Sequence, residues 1–286
     1  MKDCIDIKFT KMHGAGNDYI YIDATDNPPY DLSSLAIAVS DVHFGIGSDG
    51  LVAIMKSDKA DFRMRMFNSD GSEAEMCGNA TRCIGKYVYD RGLTDKTEFS
   101  LETLAGIKVL HLHIEDGVVA SVTVDMGEPE LRPALVPVKS TNDKVKIAEA
   151  ETVGDFTYQI TGVSMGNPHG VIFTDEITDR KVLVEGPQLE VADIFPRKAN
   201  IEFAKVVDCH TIDMRVWERG TGETFACGTG ACATAVAAVL NGLTDRDVDI
   251  RLRGGVLHIV WDETTNHVMM TGPATFVCDG IFYWSK

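Results

Sequence analysis

The chain has 286 residues, 44% of them hydrophobic and 24% charged, the make-up of a soluble globular protein long enough for two domains. Its formal net charge of −16, from 43 acids against 27 bases, argues against nucleic acid or an anionic membrane as partner. No apolar run approaches the ~20 residues of a membrane helix, and the opening MKDCIDIKFTKMH lacks a signal peptide's apolar stretch, so the cytoplasm is the expected compartment.

In chain order, HGAGND (13–18) is a turn-rich loop containing Asn17, and GIGSDG (45–50) matches a nucleotide-loop pattern by letter only, since no downstream Rossmann signature follows. FRMRMF reads as a strand, followed by the loop FNSDGSEAE (67–75) with Asn68. After Cys77, apolar residues at Ala80, Cys83, Ile84, Tyr87 and Val88 mark one helical face, which Gly92 ends. KVLHLHI and VVASVTV read as strands; His111 and His113 alternate along the first and are treated as structural. The stretch GEPELRPALVP (127–137) is the linker candidate. MGNPHG (165–170) is a loop with Asn167 and His169, Asn200 follows, and the strand TIDMRVW leads to Glu218 and Arg219. The segment after Cys227, GTGACATAVAAVL, is apolar nearly all round and predicts a helix buried on every side, ended by Asn241-Gly242. ERGTGETFACGTGA lacks the Lys-Ser/Thr of a P-loop. GVLHIVW is a further strand, and the final FVCDGIFYW reads as a strand returning to the first half.

The chain carries an internal repeat at an offset of 150 residues. That offset superimposes Cys77-Gly78 on Cys227-Gly228, Gly16-Asn17 on Gly166-Asn167, Met64-Arg65 on Met214-Arg215, and Glu73 on Glu223. It also aligns Gly92-Leu93-Thr94-Asp95 with Gly242-Leu243-Thr244-Asp245. Each half therefore reads as a central helix wrapped by strands, an α/β (α+β) fold of two pseudo-symmetric, β-barrel-like domains. The expected boundaries are 1–126 plus 273–286 for the half with Cys77, and 127–272 for the half with Cys227.

The seven cysteines are odd in number, and none has CxxC spacing, which argues against both a disulfide framework and a structural zinc. Cys4, Cys209 and Cys278 are expected to be small buried hydrophobes, and Cys83 and Cys232 to pack within the helices. Cys77 and Cys227 differ, because each sits at a helix start, where the dipole and backbone N–H groups lower a thiol's pKa. The Gly78-Asn79 and Gly228-Thr229 N–H groups could hold a carboxylate there. Inverting a stereocentre by proton transfer needs a base on one face and an acid on the other, exchanging roles in reverse. Two opposed thiols suit that task without any cofactor, and no motif suggests a pyridoxal lysine. Asn17, Asn68, Asn167, His169 and Asn200 gain interest only beside these cysteines. Arg219 and Glu218 are either an ordinary surface pair or readers of a second carboxylate and an ammonium. Two catalytic cysteines alone would also admit proline or hydroxyproline racemases, and a non-catalytic thiol protein is a rival from another class.

On KMHGAGNDYI, FNSDGSEAEMCGNATRC, GNPH, Asn200-Ile201-Glu202 and WERGTGETFACGTGACA, the chain resembles the diaminopimelate epimerases over nearly its whole length. The resemblance implies an isomerase, independent of pyridoxal phosphate and metal, that interconverts LL- and meso-diaminopimelate in lysine and peptidoglycan precursor biosynthesis. It implies Cys77 and Cys227 as the acid/base pair, with His169 and Glu218 assisting. By the same resemblance Gly78, Asn79, Gly228 and Thr229 bind the reacting carboxylate. Asn68, Asn167, Asn200 and Arg219 hold the distal one, Glu218 lies near the distal amine, and Asn17 lines the site. The partner expected is this small molecule, and a homodimer is compatible with it. Two positions depart from the family pattern: Gly50 stands where many members have Gln, and Ala80 replaces a common Gly.

Overall fold

The structure is a computed structural model that describes residues 4–27 and 30–285. Met1–Asp3, part of the opening segment read against a signal peptide, and Lys286, the end of the expected first domain, lie outside the described residues, as does the Cys4 side chain.

Contacts divide the chain into two compact units: the described residues up to Val124 with those from Gly272, and Asp125–Thr271. The first half of the chain runs β1 (Cys4–Gly14), β2 (Asn17–Asp23), α1 (Leu32–Ser40), β3 (Gly50–Met55), β4 (Phe62–Asn68), β5 (Glu73–Ala74), α2 (Gly78–Asp90), β6 (Glu98–Thr103), β7 (Gly106–Glu115) and β8 (Val118–Asp125). The second unit holds β9 (Glu149–Val153), β10 (Phe156–Ser164), β11 (Pro168–Phe173), a π-helical turn (Arg180–Glu185) and α3 (Gly186–Glu190). It continues with β12 (Asn200–Asp208), β13 (Thr211–Glu218), β14 (Gly222–Glu223), α4 (Gly228–Leu240), β15 (Asp247–Leu252), β16 (Gly255–Trp261) and β17 (Val268–Gly272). The last strand, β18 (Thr275–Ser285), returns to the first unit and pairs antiparallel with β1.

The units share one pairing scheme. In the first, β1–β2 is antiparallel, β2–β3 parallel with Ile20 opposite Leu51, and β4–β6 parallel with Phe62 opposite Leu101. In the second, β10–β11 is antiparallel, β11–β12 parallel with His169 opposite Asn200, and β13–β15 parallel with Thr211 opposite Asp249. Even the ion pair before the helix is repeated: Arg65 Nε to Glu73 Oε1 and Arg215 Nε to Glu223 Oε1 are both 2.7 Å. Each pair ties the short hairpin that aims the chain into its helix.

The helix of each unit packs inside its strands. α2 lies against β1, β2 and β7, and α4 against β10, β11, β12, β15 and β16. Of the face read from the sequence α2 buries Ala80, Cys83, Ile84 and Val88 and leaves Tyr87 half-buried, whereas α4 is buried continuously from Gly230 to Ala238. Small side chains let strands approach α4 from all sides, and each fully buried larger residue such as Val236 contributes about 1.5–3 kcal/mol. Both helices stop at a glycine in the left-handed region, Gly92 (φ 71°) and Gly242 (φ 67°), where a Cβ would be strained.

Two cysteines depart from expectation: Cys209 and Cys278 are exposed, not buried. Cys209 falls in the turn between β12 and β13, where no strand covers it. Cys278 follows a register slip of β18 on β1, where Lys11 faces Cys278 but Met12 faces Phe276. Cys278 keeps the alternation of Gly280, Phe282 and Trp284, and nothing in the structure explains its exposure. Cys83 and Cys232 are fully buried, as read. GIGSDG runs directly into β3 rather than opening a helix, so it is no dinucleotide loop. Among the described residues no helix is long and apolar enough to cross a membrane.

Candidate active site

Cys77 and Cys227 each occupy the N-cap of a 13-residue helix, in extended backbone at φ −135°, ψ 121° and φ −114°, ψ 110°. Neither thiol caps its own helix, so each sulfur can serve another partner. First-turn N–H groups have no acceptor within a helix and concentrate the positive end of its dipole, which makes both helix starts suited to an anion.

Around half-buried Cys77, Asn17 at the head of β2 presents Oδ1 to Sγ at 3.4 Å and to Asn79 Nδ2 at 3.3 Å. Asp49 turns the Asn17 amide this way by accepting from its Nδ2 at 2.6 Å. Asn79 is steadied by Arg82, a fully buried arginine that donates Nη2 to its Oδ1 at 2.8 Å and Nε to Pro273 O at 3.3 Å. Asn68 ends β4, where its Nδ2 donates to Ser72 Oγ at 3.0 Å.

The Cys227 unit builds the same cradle with more ionisable groups. Asn167, the repeat counterpart of Asn17, donates Nδ2 to Thr229 Oγ1 at 3.3 Å, and that hydroxyl lies 3.5 Å from Cys227 Sγ. His169 bridges Asn167 Oδ1 at 2.9 Å through Nε2 and Glu202 Oε1 at 2.6 Å through Nδ1. Both His169 and Glu202 are completely buried. Glu218, the last residue of β13, sets its carboxyl beside the Cys227 thiol and accepts from the Thr224 hydroxyl. Asn200 is buried, accepting the Arg219 backbone N–H on Oδ1 at 2.8 Å and donating to Pro168 O at 3.3 Å. It thereby sets the backbone of Arg219, whose exposed side chain contacts Arg197 O at 3.3 Å. One unit thus gathers Asn17, Gly78 and Asn79 at Cys77; the other gathers Asn167, His169, Glu218, Gly228 and Thr229 at Cys227.

A family model for diaminopimelate epimerase matches residues 9–132 and 161–277 of this chain. The chain belongs to the diaminopimelate epimerase family. A diaminopimelate epimerase from Methanococcus maripaludis (strain C5) is 55% identical over 274 residues, covering 96% of this chain and 99% of its own. That of Bacteroides thetaiotaomicron is 57% identical over 275 residues, covering 96% of this chain and 97% of its own. A hydroxyproline epimerase from Agrobacterium vitis shares the fold alone, with a TM-score of 0.67 and 14% identity over 98% of this chain and 92% of its own.

For this member of the diaminopimelate epimerase family, one electrostatic expectation is overturned. The Cys227 thiol is not made more acidic: burial pushes its pKa well up, and the Glu218 and Glu202 carboxylates add to the rise. The Thr229 hydroxyl and the Gly230 N–H act in the other direction but do not prevail. Burial also raises the carboxyls of Glu218 and Glu202. The helix start favours an anion only by a fraction of what complete removal from water costs it.

Gly50, the departure from the family pattern, leaves no gap. A Cβ there would lie 2.0 Å from the Phe67 carbonyl oxygen, so the β4 backbone occupies the space a side chain would need to leave by. The sequence reading passed over Asp49, Arg82, Thr224 and the role of Glu202. Glu202 carried a signal, since it stands two residues from Asn200 on the same face of β12, inside an otherwise apolar run. Among the described residues one Cys–His–Asp trio, Cys209, His210 and Asp245, brings potential ligand atoms within 4.8 Å of one another. It is exposed, at a surface turn.

Proposed function

We propose that the chain interconverts LL- and meso-diaminopimelate, with Cys77 and Cys227 exchanging the parts of base and acid at one α-carbon. The observation that carries this reading is the duplicated placement of a cysteine at the N-cap of a buried helix, each beside an asparagine from the same repeat position. In one direction a thiolate takes the α-proton, the C–H electron pair stays on carbon, and the other thiol delivers its proton to the opposite face. The sulfurs end with their protonation exchanged, and the reverse reaction runs from that state.

The α-carboxylate takes up charge as the C–H bond breaks, so N–H groups of Gly78, Asn79, Gly228 and Thr229 are assigned to it. Cys227 must become a thiolate in one direction despite its raised pKa. The Thr229 hydroxyl and Gly230 N–H supply donors to the sulfur, and a substrate ammonium beside Glu218 would neutralise the carboxylate that opposes ionisation. His169 acts through Asn167 and Thr229. Asn68, Asn167, Asn200 and the exposed guanidinium of Arg219 are assigned to the distal end of a long substrate, with Asn17 lining the site at Cys77. That reading places the protein in lysine and peptidoglycan precursor biosynthesis in the cytoplasm.

Reduced protein incubated with LL-diaminopimelate should yield the meso isomer, read by chiral chromatography, with L-proline and trans-4-hydroxy-L-proline assayed in parallel. Turnover of either imino acid without turnover of diaminopimelate would overturn the substrate assignment.

A further inference from the structure

We infer that Glu202 is a positioning residue for Cys227: it shares one proton with His169 and so fixes the direction of the hydrogen-bonded chain His169–Asn167–Thr229 that ends on the sulfur. The inference rests on the reading of Cys227 as an acid–base thiol.

The proton count follows from the contacts. Asn167 commits Nδ2 to Thr229 Oγ1, which leaves its carbonyl oxygen facing His169 Nε2 at 2.9 Å. A carbonyl oxygen only accepts, so Nε2 carries a hydrogen. The other ring nitrogen, Nδ1, stands 2.6 Å from Glu202 Oε1. Two bare lone pairs would repel at that distance, so a second proton lies between them. Whether it sits closer to nitrogen or oxygen, the pair is neutral overall. Burial raises the Glu202 carboxyl and favours keeping that proton.

The arrangement is costly for a mere packing element. Glu202 is completely buried, its Oε2 has no hydrogen-bond partner among the described residues, and an apolar side chain would serve stability better. The helix start is also shaped to admit it. A Cβ on Gly230 would lie 2.7 Å from Glu202 Oε1 and 3.3 Å from Cys227 Sγ. The carboxyl is therefore brought to the backbone of the cysteine's own first helical turn.

The shared proton sets polarity. With Nε2 protonated, every donor points toward sulfur: His169 N–H to Asn167, Asn167 N–H to Thr229, and the Thr229 hydroxyl to Cys227. That direction stabilises a thiolate. When the shared proton leaves, neutral His169 turns its one N–H to the Glu202 carboxylate and presents a bare Nε2. Asn167 then rotates its amide, Thr229 donates to Asn167, and the thiolate loses its donor. The first unit shows the opposite polarity in place, for Asp49 orients Asn17 so that its oxygen faces Cys77. Glu202 is faced by His169 on β11, Glu218 at the end of β13 and Cys227 at the head of α4, the titratable groups through which pH acts on it among the described residues.

Two variants separate direction from packing. Glu202→Gln keeps an N–H donor for Nδ1 and so keeps the polarity, but has no proton to lose; Glu202→Leu fills the volume and offers nothing. E202L should lose kcat on the order of thirtyfold with KM nearly unchanged, the size expected when a buried hydrogen-bonding group loses its partner. E202Q should stay within about fivefold of the parent, with the alkaline limb of its kcat moved to higher pH. A second readout needs no substrate: iodoacetamide labelling of each cysteine against pH, read by peptide mass spectrometry. E202L should displace the Cys227 profile and leave that of Cys77 in place. If the parent fails to turn over diaminopimelate, the functional reading falls while the labelling still decides the role of Glu202. Parental kcat and Cys227 labelling in E202L would overturn the inference. So would an E202Q variant that loses as much as E202L. Should E202L not fold, E202Q alone decides: a displaced alkaline limb supports the inference, and an unmoved one refutes it.

Discussion

Replacing Gly230 with alanine places one methyl group where the Cys227 helix, the thiol and the Glu202 carboxyl meet. In an unconstrained helix interior the change stabilises by about 1 kcal/mol, because glycine is the poorer helix former. Here the new Cβ would stand 2.7 Å from Glu202 Oε1 and 3.3 Å from both Cβ and Sγ of Cys227. A flexible carboxylate on the surface would swing aside, but Glu202 is completely buried and held by His169 at 2.6 Å. Overpacking costs about 1–3 kcal/mol, and stretching the Glu202–His169 bond adds about 1–3 kcal/mol. The net expectation is a loss of roughly 1–5 kcal/mol after the helix gain is subtracted. For domains of this size that lowers Tm by roughly 3–15 °C in differential scanning calorimetry. Turnover should fall by more than the stability loss alone would cause, since the displaced group is the one that orients His169. A G230A protein that melts higher than the parent and retains full kcat would refute the idea that Glu202 is pinned against this helix turn.

Two further outcomes are expected. Glu218→Gln removes a carboxylate that helps hold the Cys227 thiol above its ordinary value, so its pKa falls and more thiolate is present at any given pH. At about pH 8, near the ordinary thiol value, iodoacetamide should label Cys227 severalfold faster in E218Q than in the parent; equal or slower labelling would remove Glu218 from the thiol's electrostatics. Gly50→Ala drives a Cβ to 2.0 Å from a backbone carbonyl that cannot rotate away. It should cost more than about 3 kcal/mol, visible as a lowered denaturant midpoint or as insoluble protein, and a parental midpoint would show that β3 can move off β4.

Much of the architecture could be read from the residues because it is written twice. The offset that aligns Cys77 with Cys227 also aligns Arg65 and Glu73 with Arg215 and Glu223, and in the structure both pairs form at the same length. The helix faces and their glycine stops follow from periodicity and from the left-handed residues that end a helix. What could not be read depends on packing across elements. Cys209 is exposed because it falls on a turn tip, and Cys278 is exposed although it keeps the alternation of Phe282 and Trp284. The thiol of Cys227 defies the helix-dipole expectation because its surroundings, not its position in the helix, decide its hydration. Glu202 was visible as a letter in Asn200-Ile201-Glu202, yet only the parallel pairing of β11 with β12 brings it to His169.

The most direct test of proton exchange between Cys77 and Cys227 is solvent deuterium followed at the α-carbon early in the reaction. LL-diaminopimelate in heavy water with the reduced protein should give meso product bearing deuterium at the inverted centre, while the remaining LL isomer stays unlabelled. Neither C77A nor C227A should form that product. Product that retains its original hydrogen, or a single-cysteine variant that inverts the centre at the parental rate, would contradict the account.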